Sequence, residues 1–198
     1  MNRPLLGIFI IFLVFASAFA GLVLVPYFQF GNLDPIQDEI TGGLVPAPLS
    51  GLAEAGRQVY AVNGCVYCHS QQVHSTDVKR GWGKRRTVAR DYITEKPVLL
   101  GNLRIGPDLA NVGARQSSAE WYHLHLYDPA KAVPGSTMPS YRFLYKKRRI
   151  VGEPSQDALK LDGIEEGYEV VPTQEAKTLV AYLQSLDKNY SLPEAPIQ

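Results

Sequence analysis

The two cysteines of this sequence stand three positions apart with a histidine directly after them, Cys65-Val66-Tyr67-Cys68-His69. A C-x-x-C-H order reads as the covalent attachment site of a c-type haem. Each thiol can add to one haem vinyl group, and the adjoining imidazole is then placed to bind the iron from the proximal side. Other readings of a cysteine pair fit less well. A thioredoxin-like dithiol sits near a β-α-β pattern, and none surrounds these residues. Tetrahedral zinc wants four ligands, typically with a second closely spaced pair. Only His123 and His125 offer one, at a spacing of two that chelates poorly on a helix.

The iron's sixth position then has to be assigned. Beyond the first residue the chain has one methionine, Met138, within Ser136-Thr137-Met138-Pro139-Ser140. A lone Met is commonly a core gap-filler. This one lies in a Pro- and Gly-rich loop, which favours the reading as distal ligand, and a thioether there raises the redox potential. His74, His123 and His125 are the rivals. His74 is too close in sequence to His69 to reach the opposite face easily, and the other two lie in a helical stretch where a histidine is more often a packing residue. His125 is also a candidate for holding a haem propionate. The run Gly106-Pro107-Asp108-Leu109 offers either an ordinary turn or a rigid Pro107 carbonyl to orient the proximal imidazole through its second nitrogen.

The chain has 198 residues, 45% of them hydrophobic, enough for one modest domain and an appendage. That appendage is N-terminal. From Pro4 to Leu33 there is no charge, and the apolar run is longer than the roughly 20 residues a bilayer-crossing helix needs. A cleaved signal peptide is the alternative, with Ala18-Phe19-Ala20 before Gly21 as its site, but the apolar region of a signal is only about 7 to 15 residues. The sequence favours a retained anchor over 1–30. Arg3 precedes the run and Asp34, Asp38 and Glu39 follow it, so the positive-inside tendency puts the N-terminus in the cytoplasm.

Residues 31–49 are rich in Gly and Pro and lack periodicity, as a linker would be. The cytochrome-like domain is expected over 50–190, with 191–198 as a C-terminal tail. Ser50 is a possible cap for a first helix with Leu52, Ala55, Gly56, Val59 and Tyr60 inward. Ser117-Ser118-Ala119-Glu120 reads as a capping box for another helix, stopped by Asp128-Pro129. Thr173 caps a last helix with Ala176, Leu179, Val180, Leu183 and Leu186 inward. Gly56 and Tyr182 suggest a close crossing of first and last helices. The 50 or so residues between the first two helices predict long ordered loops and one short β-hairpin. Charge is unevenly spread. Net charge is −2 over 1–70, +9 over 71–149 and −6 over 150–198. The basic middle is either a solvated face or a docking surface. Nothing in it pairs basic residues with an aromatic platform, so no nucleic acid is expected as a partner.

C-x-x-C-H, G-P-D-L and M-P in this order, between a first and a last amphipathic helix, resemble class I cytochrome c. The intervening text sharpens the likeness. Cys65 to Gln71, Arg80-Gly81-Trp82-Gly83, Gly106 to Gly113, Trp121 to Leu126 with Asp128-Pro129, and Val133 to Tyr141 together resemble the membrane-anchored mono-haem subunit of cbb3-type cytochrome c oxidases. The resemblance implies a mainly α chain: one transmembrane helix plus a class I cytochrome c-like domain with long loops. It implies one covalent haem c, with Cys65 and Cys68 as thioether sites, His69 as proximal and Met138 as distal ligand, and it favours the Pro107 carbonyl beside His69. The implied role is to relay electrons from another c-type cytochrome, a sister subunit or a soluble carrier, to the haem-copper subunit that reduces oxygen. The chain is then not an enzyme by itself. The implied location is the bacterial inner membrane, haem domain in the periplasm. Where the family commonly continues with Arg-Pro after the haem motif, this chain has Gln72-Val73-His74. The Lys146-Lys147-Arg148-Arg149 run and the acidic C-terminal region have no counterpart in the resemblance. A tethered carrier outside any oxidase and a haem-free dithiol protein are the alternative functions.

Overall fold

An unbroken apolar run satisfies its backbone polar groups internally as helix. In a computed structural model of the chain, which describes residues 3–38 and 41–197, that run is helical from Arg3 to Phe30. It divides into α1 (Arg3–Phe19), a π-turn (Ala20–Leu24) and α2 (Val25–Phe30). The π-turn has a local cause. Pro26 has no N–H to donate to the carbonyl four residues back, and the helix widens just before it, with the Val25 N–H reaching the Ala20 carbonyl. With 28 residues, no buried side chain and a mean hydropathy of 2.9 over its most apolar window, the helix is long and apolar enough to cross a membrane.

The segment that follows is shorter on freedom than its composition suggests. Two-residue strands β1 (Ile36–Gln37) and β2 (Leu44–Val45) pair antiparallel, and Asp38 accepts from the Thr41 amide and hydroxyl at the turn. Glu39, used above in assigning orientation, lies outside the described residues.

The core is a crossing of α3 (Gly51–Val62) over the C-terminal helix. The inward face of α3 is Gly56, Arg57 and Tyr60, whereas Leu52 and Ala55, expected inward, are exposed. The correction has a physical reason. Arg57 is buried because its guanidinium donates to the carbonyls of Lys96 and Pro97, so its charge is met inside the fold. Ser50 occupies the N-cap position without a side-chain cap bond.

Short helices carry the middle of the chain: α4 (Ser75–Val78), α5 (Val112–Arg115), α6 (Ala119–Tyr127) and α7 (Pro129–Ala132). Ser118 caps α6 by accepting from the Trp121 amide at 3.2 Å. The expected capping box is only half made, because with Ser118 as cap Glu120 falls one position too early to reach back, and it pairs with Lys160 instead.

Among the described residues no strand forms between α3 and α6, so the hairpin expected there is absent. The loops are ordered by buried carboxylates: Asp91 grips Arg85 at 2.8 and 2.9 Å and accepts from the Val88 amide, and Asp77 accepts from the His74 amide and pairs with Arg104. Backbone donors met by carboxylates have no need of a ladder. The hairpin lies later, β3 (Tyr145–Arg149) against β4 (Tyr168–Pro172), antiparallel. Here two of the four residues of the basic run find partners, Glu165 taking Lys147 and Glu169 taking Arg148, both at 2.8 Å.

Thr173 caps α8 (Gln174–Ser185), and Ala176, Leu179, Val180, Leu183 and Leu186 are all buried as expected. Gly56 lets α8 close on α3: a Cβ there would stand 1.8 Å from the Thr178 carbonyl oxygen. Tyr60 and Tyr182 then meet edge to face at 5.3 Å. The last residues pack rather than trail, with Leu192 and Ala195 buried and Glu194 paired with Arg90 at 2.6 Å. The described chain is mainly helical, with a small helical domain behind one apolar N-terminal helix.

Candidate functional site

The geometry of the site begins with a seam between two loops. The amide of Gly106 donates to the Cys68 carbonyl at 3.0 Å and the amide of Leu109 to the Ser70 carbonyl at 2.7 Å. Asp108, fully buried, secures the seam by accepting from the Ser70 hydroxyl, the Gln72 amide and the Ala110 amide at 2.6 to 2.9 Å. Arg104 adds bonds to the Ser70 hydroxyl and the Gln72 carbonyl. A buried carboxylate with this many donors is strongly held.

The seam sets His69 against Pro107. Its Nδ1 lies 2.8 Å from the Pro107 carbonyl oxygen. A carbonyl only accepts, so Nδ1 carries the proton. Burial pushes the His69 pKa below its ordinary value, against the opposing pull of that hydrogen bond and of Asp108. The ring is therefore neutral at neutral pH, and its Nε2 keeps a free lone pair. Gly106 makes the approach possible, since a Cβ there would lie 2.2 Å from Cε1 of the imidazole.

Cys65 and Cys68 lie in and just after a 3-10 turn (Cys65–Tyr67) that follows Gly64, whose left-handed backbone (φ +70°) ends the run from α3. The two sulfurs are not joined to each other. Burial pushes the Cys65 thiol up to about 11, so it is not the exposed, low-pKa thiolate that a dithiol exchange protein uses.

Met138 comes from the loop after α7. That loop is tied back to α6 by the Tyr141 amide on the Leu126 carbonyl at 2.7 Å, and it turns at Gly135. His125, on α6, stacks on Trp121 with ring centroids 4.7 Å apart. Its Nδ1 is shielded from solvent and has no hydrogen-bond partner, and burial followed by the neighbouring His69 holds its pKa down.

Cys65, Cys68, His69, Pro107, His125 and Met138 all line one cavity of about 520 Å³. Of the three rival histidines, His125 therefore shares the cavity with Met138, and His74 and His123 do not. His123 points its Nδ1 at the Tyr145 hydroxyl, 3.1 Å away, and His74 stands at the N-terminus of α4. The remaining walls are mostly apolar, including Leu109, Val112, Leu126, Leu179 and Leu183. The sequence reading did not single out Tyr60, Ile105 and Tyr141 as wall residues. Tyr60 was visible only as part of a packing stripe, and nothing local marked the other two. The residues present fit an iron porphyrin: two thiols, a neutral imidazole with one nitrogen free, a thioether, apolar walls, and a buried polar atom, His125 Nδ1, without a partner among the described residues.

Residues 3–157 match the family described as "Cytochrome C oxidase, mono-heme subunit/FixO". The match leaves out β4 and α8, although α8 supplies Leu179 and Leu183 to the cavity wall. No curated protein matches the chain.

Proposed function

The chain belongs to the family of mono-haem subunits of cytochrome c oxidase, and from that premise we propose that it is a membrane-anchored electron relay for a cbb3-type terminal oxidase. Cys65 and Cys68 hold one haem c covalently, His69 binds the iron through Nε2, and Met138 is the distal ligand. Held by these residues, the haem would supply a one-electron carrier. Electrons come from a c-type cytochrome, a sister subunit or a soluble carrier, and pass to the haem-copper subunit, where oxygen is reduced. The N-terminal helix stays in the bacterial inner membrane with its start in the cytoplasm and the domain in the periplasm.

The convergence of all six residues on a single cavity carries this reading. Pro107 fixes the imidazole tautomer and its orientation. The Asp108 seam holds Pro107 where it is, and the apolar walls keep water from the group they surround. His125 is the polar atom available to a propionate. These are positioning roles, suited to outer-sphere electron transfer.

Purification of the intact complex tests the proposal. The chain should migrate through detergent with copper and b-type haems, stain for haem after denaturation, and accept electrons from a reduced c-type cytochrome before oxygen is consumed. A haem-stained chain that migrates alone would assign it to a separate carrier, and a mature chain at its bare peptide mass would remove the haem.

A further inference from the structure

Part of the basic middle of the chain is paired within the domain. Acidic residues of the C-terminal region take Lys131, Lys147 and Arg148, and buried carboxylates take Arg85 and Arg104. Lys146 and Arg149 of β3 stay exposed without an ion pair among the described residues, and a larger cluster lies elsewhere. Lys79, Arg80, Lys84 and Arg86 are exposed on the loop after α4. Among the described residues none pairs with a carboxylate except Arg80, whose contact with Asp77 is long at 3.6 Å and leaves its side chain 63% exposed.

The loop is held in shape. The Trp82 ring sits against both Arg80 and Arg104, with guanidinium carbons 5.5 and 5.2 Å from its centroid, and the Lys84 amide donates to Asn189 at 2.8 Å. It is also held in place. Arg86 donates to the backbone carbonyl of Glu194, the same residue whose carboxylate grips Arg90, and Arg90 donates to the backbone carbonyl of Asp34.

Asp34 is four residues beyond Phe30, the last residue of α2. A chain spans at most about 3.6 Å per residue, so Asp34 lies within roughly 14 Å of the helix end. The exposed ring of Tyr27, edge to face with Phe28 at 5.6 Å, marks that end with an aromatic residue favoured at headgroup level. The four cations therefore hang from a point one short segment above the membrane surface. Among the described residues the carboxylates around this loop include Glu194, paired with Arg90, the exposed Asp34, and the exposed Asp187, which accepts from the Asn189 amide.

We propose that the loop Lys79–Arg86 is a second membrane contact that binds the phosphate groups of anionic phospholipids on the side where α2 emerges. The inference rests on the reading of the N-terminal helix as a bilayer anchor. Helix and loop together hold the domain in one orientation on the bilayer.

The test uses the full-length chain in nanodiscs of phosphatidylcholine alone or mixed with phosphatidylglycerol, followed by amide hydrogen exchange. Exchange at residues 79–86 should slow by about fivefold or more in the anionic discs. High salt should restore it, and so should Lys79→Gln, Arg80→Gln, Lys84→Gln and Arg86→Gln combined. Equal exchange of the wild-type chain in both discs overturns the proposal. So does protection indifferent to lipid that appears only when the other oxidase subunits are added, which would give the loop to an acidic protein surface. The readout involves no electron transfer, so either result leaves the relay function standing, whereas a chain that enters neither disc overturns the anchor along with this contact.

Discussion

His69 and Pro107, 38 positions apart, are joined by a hydrogen bond of 2.8 Å from imidazole Nδ1 to the backbone carbonyl. The bond fixes which nitrogen is free, and the His69 ring lines a cavity that both cysteines and Met138 also line.

Gly106 controls that bond. In Gly106→Ala the new methyl would overlap the His69 ring, 2.2 Å from Cε1, so ring and loop must separate. We expect a loss of about 1–3 kcal/mol in stability from overpacking, together with an altered absorption spectrum of the haem-loaded protein. A spectrum and unfolding midpoint equal to wild type would show that the loops part without consequence.

Met138→His replaces a thioether by an imidazole and should lower the midpoint potential while leaving haem attachment intact. Redox titration of the purified protein measures this. An unchanged potential and spectrum would remove Met138 from the ligand set.

Gly56→Ala acts from behind the cavity wall, through α8, which supplies Leu179 and Leu183 to it. Its Cβ would lie 1.8 Å from a backbone oxygen of α8, an atom that cannot rotate away. The α3–α8 crossing must open, at a cost of about 3 kcal/mol or more, and chemical denaturation should show a large drop in midpoint.

Asp77 gives the fold an acid sensitivity. Burial tends to raise its pKa, but the His74 amide and Arg104 outweigh that and hold it below the ordinary carboxylate value. A group depressed in the folded state contributes stability above its unfolded pKa, about 3.9, and that contribution is lost as pH falls through the lower folded value. Stability should therefore fall below about pH 4. In Asp77→Asn the baseline should be lower and the slope there shallower; an identical slope would assign the acid sensitivity elsewhere.

Leu192 is 1% exposed and sits beside Ala195, in the stretch expected to be a tail. Leu192→Ala should cost about 2–5 kcal/mol and speed hydrogen exchange in residues 84–91, which Glu194 and Asn189 hold. A loss within error of zero would return this segment to the status of a loose end.

The sequence by itself determined what depends on neighbours along the chain. C-x-x-C-H, G-P-D-L and M-P carry their chemistry in a few consecutive residues, the Ala176 to Leu186 stripe follows helical period, and an apolar run of such length has few conformations open to it. Only the tertiary structure decided which charges lie inside. Arg57, Arg85, Asp91 and Asp108 look like surface residues in the sequence, and each is buried because a partner arrives from elsewhere in the chain or across a turn. The pairing of Lys146–Arg149 with the strand near Glu169 and the packing of the last residues on Arg86 and Arg90 belong to the same class. A charge is stable in an interior only when its counterpart is already there. Which counterpart that is depends on contacts distant in sequence, and no local pattern records them.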